Sequence, residues 1–299
     1  GFQQEFETGN KEKALEKLLE LLDALEEADT SRRAAQIDKD GNVTLSSEIP
    51  AGKPAAEKSA EDGTGESQPL YMSLNHVMEY YIFAYYFQPA TEVRCTDIPY
   101  GEYYRTYGQL ALSMQKYNGA KKAYERAIAW NPVDLDAYLG LAEVYKYQNQ
   151  REKYLTVTKQ AYRYCCTRAT MARYYRNMAF YYLSGYEPET ARACYQYSNV
   201  YYHTENADSE LKYISEAIQQ ETPQTDIRAI QKLFDEKQIE PGPDSQTIGI
   251  VYKVGEILLK DGDYKLAKDC YSIVYDITQD AAAEKMLNEL EAAISGSEE

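Results

Sequence analysis

The sequence has few of the residues on which most catalytic and metal sites depend. It contains only two histidines, His76 and His203, and neither lies near a serine, cysteine or carboxylate at a spacing typical of a catalytic triad or a metal site. It also has no glycine-rich phosphate loop and no G-x-S-x-G motif. We therefore predict a protein that is not an enzyme and that uses no cofactor and no metal ion.

Cysteine is scarce and irregularly spaced. The five cysteines are an odd number without a C-x-x-C pair, which indicates neither a disulfide framework nor a zinc site. Thiols of this kind are mostly buried and suit a reducing compartment, so we predict a cytoplasmic protein. The alternative is an extracytoplasmic protein that has lost an N-terminal signal or anchor, because Phe2 begins in the middle of a helical pattern.

Long hydrophobic runs and positive charge are also lacking. No run of 18 apolar residues occurs, so no membrane insertion is predicted. Acidic residues outnumber basic ones by 48 to 32, and a net charge of −16 repels nucleic acid. The exception is the centre, since residues 70–204 carry 15 basic and 11 acidic side chains between two acidic flanks. An acidic protein or peptide partner would suit this central block.

The clearest pattern in the sequence is a spacing of aromatic and small residues over 34 positions, at residues 101–134. Its members are Tyr104, Tyr107, Gly108, Ala120, Tyr124, Ala127 and Pro132. Related spacings begin at Leu135, Ala172 and Ile248, and the first of these is weaker in its second half. Small residues fit where two antiparallel helices cross, and aromatic residues fill the gaps between crossings. The pattern therefore predicts helix pairs.

This spacing resembles that of the tetratricopeptide repeat. The resemblance implies an all-α fold, namely a right-handed helical-repeat solenoid of antiparallel helix pairs. The repeats are expected near residues 101–134, 135–168, 172–205 and 248–281. It also implies a non-catalytic scaffold that binds a segment of a protein partner in a concave groove formed by the first helix of each repeat.

The resemblance also implies which residues face that groove. The candidate partner-binding residues are Glu102, Arg105, Gln109, Leu139, Glu143, Arg173, Arg176 and Phe180. The arginines favour a segment that carries carboxylates, through charge-assisted hydrogen bonds. Family members that grip a chaperone's C-terminal carboxylate use an asparagine on the second groove helix, and this sequence has none at the matching positions.

The predicted domain organisation has three parts. They are an N-terminal amphipathic helix and turn at residues 1–45, a flexible linker or long loop at 46–69, and the repeat array at 70–299. Outside the repeats, we predict helices at 11–28, 70–88, 207–221, 224–239 and 280–295, of which the last is a C-terminal capping helix. A hairpin is predicted around Asp40-Gly41, where the spacing of a calcium loop is not met.

Two other functions remain open at the level of sequence. One is an assembly or regulatory subunit whose groove is occupied by its own acidic N-terminal segment or by the 224–239 helix. The other is a helical-repeat protein that binds a small ligand or a glycan in a closed aromatic pocket. The 31 tyrosines motivate the second, and those outside the repeat positions include Tyr162, Tyr164, Tyr197, Tyr201 and Tyr202.

Overall fold

The computed structural model describes Glu5 and residues 8–28, 33–38, 42–46 and 69–295. The predicted linker at 46–69 lies outside the described residues except for its two ends, and so does the Asp40-Gly41 turn. The chain divides into two compact units, Gly1–Lys153 and Tyr154–Glu299.

The first unit contains five helices and four short strands among its described residues. The helices are α1 (Lys11–Ala28), α2 (Val77–Phe87), α3 (Tyr100–Ser113), α4 (Tyr117–Trp130) and α5 (Leu135–Tyr147), and the strands are β1 (Ala35–Ile37), β2 (Val43–Leu45), β3 (Leu70–Met72) and β4 (Val93–Cys95). A further helix, α6 (Arg151–Tyr162), contains the boundary between the two units.

Helix α1 joins the first repeat through the apolar stripe that its sequence predicts. Leu15, Leu18 and Leu22 recur at helical spacing and are at most 5% exposed, and α1 packs against α3. Burial of one such side chain contributes about 1.5–3 kcal/mol of hydrophobic free energy. The N-terminal helix is therefore a part of the first unit's core.

The strands form two separate pairs, and one of them corrects the predicted helix at 70–88. β1 and β2 pair as an antiparallel hairpin, whereas β3 pairs in parallel with β4. Residues 70–72 are thus a strand, and the helix begins only at Val77. The prediction was wrong there because the apolar residues Leu70 and Met72 are buried on one face of a strand and not on a helix. The partner strand, Val93–Cys95, follows only after α2.

Helices α3, α4 and α5 meet around the ring of Tyr124, which is 2% exposed. A Cβ atom on Gly108 would lie 2.8 Å from Cζ of this ring, and one on Gly140 would lie 2.3 Å from Cε1. Only glycine leaves room for the ring at these two positions. The small and aromatic residues of the 34-residue pattern are thus the contact points between helices, as the pattern predicts.

The second unit is helical throughout its described residues, apart from the connections. After α6 it contains α7 (Arg168–Ser184), α8 (Pro188–Tyr201), α9 (Glu205–Ile218), α10 (Ile227–Lys237), α11 (Ser245–Lys260), α12 (Tyr264–Thr278) and α13 (Ala281–Ser295). Helices α7 and α8 pack as one pair, α11 and α12 as another, and α13 packs on α12. The predicted all-α helical-repeat fold is confirmed.

An aromatic cluster holds α10 and the segment after it against the α7–α8 pair. The ring of Phe234 stacks on Tyr175 at 5.6 Å and meets Tyr197 edge-on at 5.1 Å. The hydroxyl of Tyr175 donates a hydrogen bond to the Glu240 carbonyl at 2.8 Å, and that of Tyr197 donates to the Pro241 carbonyl at 2.5 Å. These tyrosines pack inside the unit, so they are not part of a surface for ligands.

Candidate functional site

In the first unit, the groove candidate Arg105 is engaged by its own chain. Its Nη1 donates to Asp136 Oδ2 at 3.3 Å, and its Nη2 donates to Asn75 Oδ1 at 2.6 Å. Its Nε lies 3.2 Å from Oδ2 of Asp134 without the alignment of a hydrogen bond. Arg105 therefore serves to tie three segments of the first unit together.

Asp134 is the buried centre of this network. Its side chain is 1% exposed and accepts a hydrogen bond from the Ala137 backbone nitrogen at 3.1 Å, which caps α5. Burial raises the pKa of this carboxyl to about 7, while the nearby Arg105 cation lowers it and the Glu79 carboxylate raises it. The network thus stabilises the N-terminus of α5, and the pKa of Asp134 depends on the Arg105 charge.

The remaining groove candidates of the first unit differ in exposure. Glu102 and Gln109 are exposed on α3, and Glu143 is partly exposed and lies 4.0 Å from Lys146. Leu139 is only 3% exposed, so its side chain belongs to the core and cannot contact a ligand. The family position predicts a side chain that is exposed in the groove. That prediction is wrong here because Leu139 lies on a buried side of α5, where burial of a leucine is favourable.

In the second unit, three candidates share one face of α7. Arg173, Arg176 and Phe180 follow the spacing i, i+3, i+7, which places them in a row. We call this row the arginine face. All three are partly exposed, and the ring of Phe180 is fixed edge-on against Tyr154 at 5.3 Å.

The charge of the arginine face is not balanced within the described residues. Helix α7 contains three arginines and no acidic residue. The first, Arg168, donates to the Val200 carbonyl at 2.8 Å, but Arg173 and Arg176 make no hydrogen bond and no ion pair in the described parts of the chain. By contrast, Arg192 on α8 is paired with Glu189.

Arg176 has one guanidinium nitrogen that is shielded from solvent. Its Nη1 atom is shielded from solvent and has no acceptor among the described residues. Burial lowers the pKa of this guanidinium, and the neighbouring Arg173 cation lowers it further. A buried N–H donor without an acceptor is costly, and each such donor in a native structure needs an explanation.

Two polar residues outside the predicted groove set are neighbours of Arg176. Asn177 is 6% exposed, and its Nδ2 atom also has no acceptor among the described residues. Tyr202 is 55% exposed and lies close enough to Arg176 to influence its pKa. The tyrosine follows α8 at its C-terminal cap, so only the packing of α8 on α7 places it there.

The two alternative functions find less support in the geometry. Helix α10, which covers most of the predicted 224–239 helix, packs on α8, and none of the described residues forms an ion pair with Arg173 or Arg176. A cleft of about 660 Å³ lies in the first unit, but it is open and its wall includes the ion pair of Asp23 and Arg126, 3.6 Å apart. It is not a closed aromatic pocket.

The described residues contain neither a candidate metal site nor a candidate membrane-spanning helix. Among these residues, no group of three or more His, Cys, Asp or Glu side chains is placed to hold a metal ion. None of the described helices is both long and apolar enough to span a membrane.

Comparison with known proteins finds one matching repeat and several solved structures of low similarity. Residues 101–134 match the family model described as "Tetratricopeptide repeat". No curated protein matches the chain significantly. Similar solved structures include the APC/C hetero-tetramer Cut9-Hcn1, with 14% identity and a TM-score of 0.37, where the alignment covers 66% of this chain and only 38% of that one.

Two further solved structures resemble the chain at a similar distance. The structure of pilF from Pseudomonas aeruginosa is 15% identical over 67% of this chain and 86% of that chain, with a TM-score of 0.36. YrrB, titled a TPR protein with an unusual peptide-binding site, is 14% identical over 62% of this chain and 91% of that chain, with a TM-score of 0.33. Likeness at this level carries no argument about function.

Proposed function

We propose that this chain, whose residues 101–134 form a tetratricopeptide repeat, is a non-catalytic scaffold that binds an acidic segment of a protein partner on its arginine face. Repeats of this kind are protein-interaction modules in general, which supports the class of function. The location and the partner's charge are inferred from Arg173, Arg176 and Phe180.

The observation that carries the proposal is the pair of guanidinium groups without a counter-charge among the described residues. Two like charges three residues apart on a helix repel each other and destabilise it. Carboxylates on a bound segment would remove this repulsion and would satisfy the buried Nη1 donor of Arg176 through charge-assisted hydrogen bonds. Binding an anion is therefore the arrangement in which these side chains are best satisfied.

Phe180 adds an apolar contact at one end of the same row. Interfaces are enriched in arginine and aromatic residues, and their energetic centres are usually such anchors. Because its ring packs against Tyr154, Phe180 would lose little side-chain entropy when a partner binds.

In the first unit, the proposed contacts are fewer than the family positions imply. Glu102 and Gln109 are exposed, Glu143 is partly exposed, and all three remain candidates. We leave Arg105 and Leu139 out of the proposed contact set, since the first is ion-paired within its own unit and the second is buried.

Charge reversal of the arginine face is expected to abolish partner capture. The full chain and the Arg173→Glu/Arg176→Glu variant are used as baits in the native lysate, and the captured proteins are quantified by mass spectrometry. We expect at least one protein to be recovered about tenfold less with the variant, because two attractive ion pairs become repulsive. Photo-crosslinking from position 180 should link the same protein to the bait.

The matched control is Lys232→Glu/Lys260→Glu, which changes the net charge equally at two exposed lysines without ion pairs in the described residues. This control should retain the captured protein. Equal recovery by the wild type and both variants would contradict the proposal. Lysine substitutions in the acidic segment of the captured protein should restore its binding to the Arg173→Glu/Arg176→Glu variant.

A further inference from the structure

The arginine face has more positive charge than a single carboxylate can balance. Arg173 and Arg176 are adjacent cations on a helix that has no acidic residue. Five other arginines, on other elements, each lie within 3.6 Å of a carboxylate: Arg94, Arg105, Arg126, Arg151 and Arg192. The pair on α7 is left without such a partner in the described residues.

The donors around this pair also outnumber the acceptors of one carboxylate. Arg176 contributes a buried Nη1 that has no acceptor among the described residues. Arg173 adds a second guanidinium fork three residues earlier on the same face of α7. A carboxylate brings two oxygens and one negative charge, whereas a phosphoryl group brings three free oxygens and nearly two charges at neutral pH.

We infer that the arginine face is a binding site for a doubly charged phosphoryl group, carried by a phosphorylated residue of the partner segment. This inference rests on the proposed function of the same face. The dianion balances both guanidinium groups at once, and its three oxygens accept hydrogen bonds from donors that otherwise stay unsatisfied. A segment that places a single carboxylate at this face would leave one cation uncompensated and would bind less tightly.

The charge of the whole chain favours a phosphorylated protein segment over nucleic acid or a membrane surface. The net charge is −16, and residues 205–299 carry 21 acidic and 9 basic side chains. A polyanion extends over many phosphates and would meet this acidic surface. A single phosphoryl group feels mainly the charges within about 10 Å, and helix α7 itself contributes only positive ones.

The test compares three fluorescent peptide libraries with the full-length chain. The libraries are degenerate and identical except for a central serine, glutamate or phosphoserine, and binding is measured by fluorescence polarisation at constant ionic strength. We expect the phosphoserine library to bind about tenfold more tightly than the glutamate library and the serine library to bind weakest. Inorganic phosphate at pH 7.5 should compete, and acetate should not.

Two variants show whether the arginines are responsible. Arg173→Gln/Arg176→Gln should reduce phosphoserine binding to the level of serine, and Arg176→Lys should lose most of the preference for phosphoserine over glutamate because lysine lacks the planar fork. Lys232→Gln/Lys260→Gln is the control with the same loss of charge and should bind like the wild type. Thermal unfolding should show that the arginine variants stay folded, since removal of like charges relieves repulsion.

The possible results separate this inference from the function on which it rests. If the glutamate library binds as tightly as the phosphoserine library, with the same dependence on the arginines, the phosphoryl inference is overturned and the acidic-segment scaffold stands. If no library depends on Arg173 and Arg176 and the captured proteins are also unchanged by charge reversal, both are overturned. Preferential binding to an oligonucleotide or to anionic lipid vesicles would also overturn the inference.

Discussion

Replacement of Gly140 by alanine is expected to destabilise the first unit by about 3 kcal/mol. The new Cβ would lie 2.3 Å and 2.4 Å from two carbon atoms of the Tyr124 ring. The ring is 2% exposed and also lies against Gly108, so it cannot swing away without opening the α3–α4–α5 contact. Overpacking of this kind forces side chains off their rotamers and moves the backbone.

The single tryptophan makes this prediction measurable in the full chain. Trp130 lies in the first unit, is 2% exposed and stacks on Tyr100 at 4.3 Å, so its fluorescence reports the unfolding of that unit in urea. The matched control is Gly119→Ala, where the nearest atom, the Tyr107 hydroxyl oxygen, would lie at an ordinary 3.5 Å. This control should be neutral or gain up to about 1 kcal/mol of helix propensity.

A double substitution separates the steric effect from any other consequence of losing the glycine. If the ring is the obstacle, Gly140→Ala should cost at least about 1 kcal/mol less in a Tyr124→Leu background than in the wild type. Equal stability of Gly140→Ala and Gly119→Ala would show that the ring does not occupy the niche between the two glycines.

Replacement of Arg105 by methionine is expected to cost about 3–5 kcal/mol at pH 8, because it leaves the buried Asp134 carboxylate without its cation. Methionine keeps much of the buried volume of the arginine, so the effect reports mainly the charge. The matched control is Arg94→Met, which breaks an exposed pair with Glu92 and should leave the free energy of unfolding nearly unchanged. Both unfolding free energies are measured by Trp130 fluorescence in urea.

The cost of Arg105→Met should be smaller at pH 5 than at pH 8. Burial raises the pKa of Asp134 to about 7, above its ordinary value of 3.8, so the folded state holds this proton more tightly than the unfolded state. Protonation of Asp134 therefore contributes stability that is fully present below about pH 4 and is lost as the pH rises through 7. Without Arg105 the carboxyl is still easier to protonate, which enlarges the difference between the two pH values.

Asp134→Asn identifies the group responsible. Asparagine can still cap α5 but cannot ionise, so the variant that combines Asp134→Asn with Arg105→Met should lose most of the dependence on pH between 5 and 8. A cost of Arg105→Met that is the same at both pH values would mean that Asp134 does not titrate in this range.

Local patterns in the sequence predicted the helices and their contact points. The periodicity of Leu15, Leu18 and Leu22 predicted α1, and the 34-residue spacing predicted the α3–α4 pair with Tyr124 between small residues. Such features depend on neighbours within one or two turns of helix or on a repeat of known period. They can therefore be predicted from the amino-acid sequence alone.

Features that depend on distant partners were not predicted. The sequence predicts a helix at Leu70–Met72, but these residues form a strand. Its partner, Val93–Cys95, follows α2 in the chain, so no local pattern reveals the pairing. The family spacing places Leu139 on a ligand surface, whereas its side chain is buried. The same spacing does not show that Arg105 pairs with Asp134 and Asp136. In each case the side chain's role depends on residues that pattern alone does not bring together.

The proposed binding face depends partly on the sequence and partly on the folded chain. The amino-acid sequence alone predicts the all-α repeat, the positively charged central block and the row of Arg173, Arg176 and Phe180, because charge and helical spacing are properties of the chain. The fold is needed to show that Arg105 is balanced while Arg173 and Arg176 are not, within the described residues. The reason is that an ion pair needs two side chains within about 4 Å, and only the folded chain brings them that close.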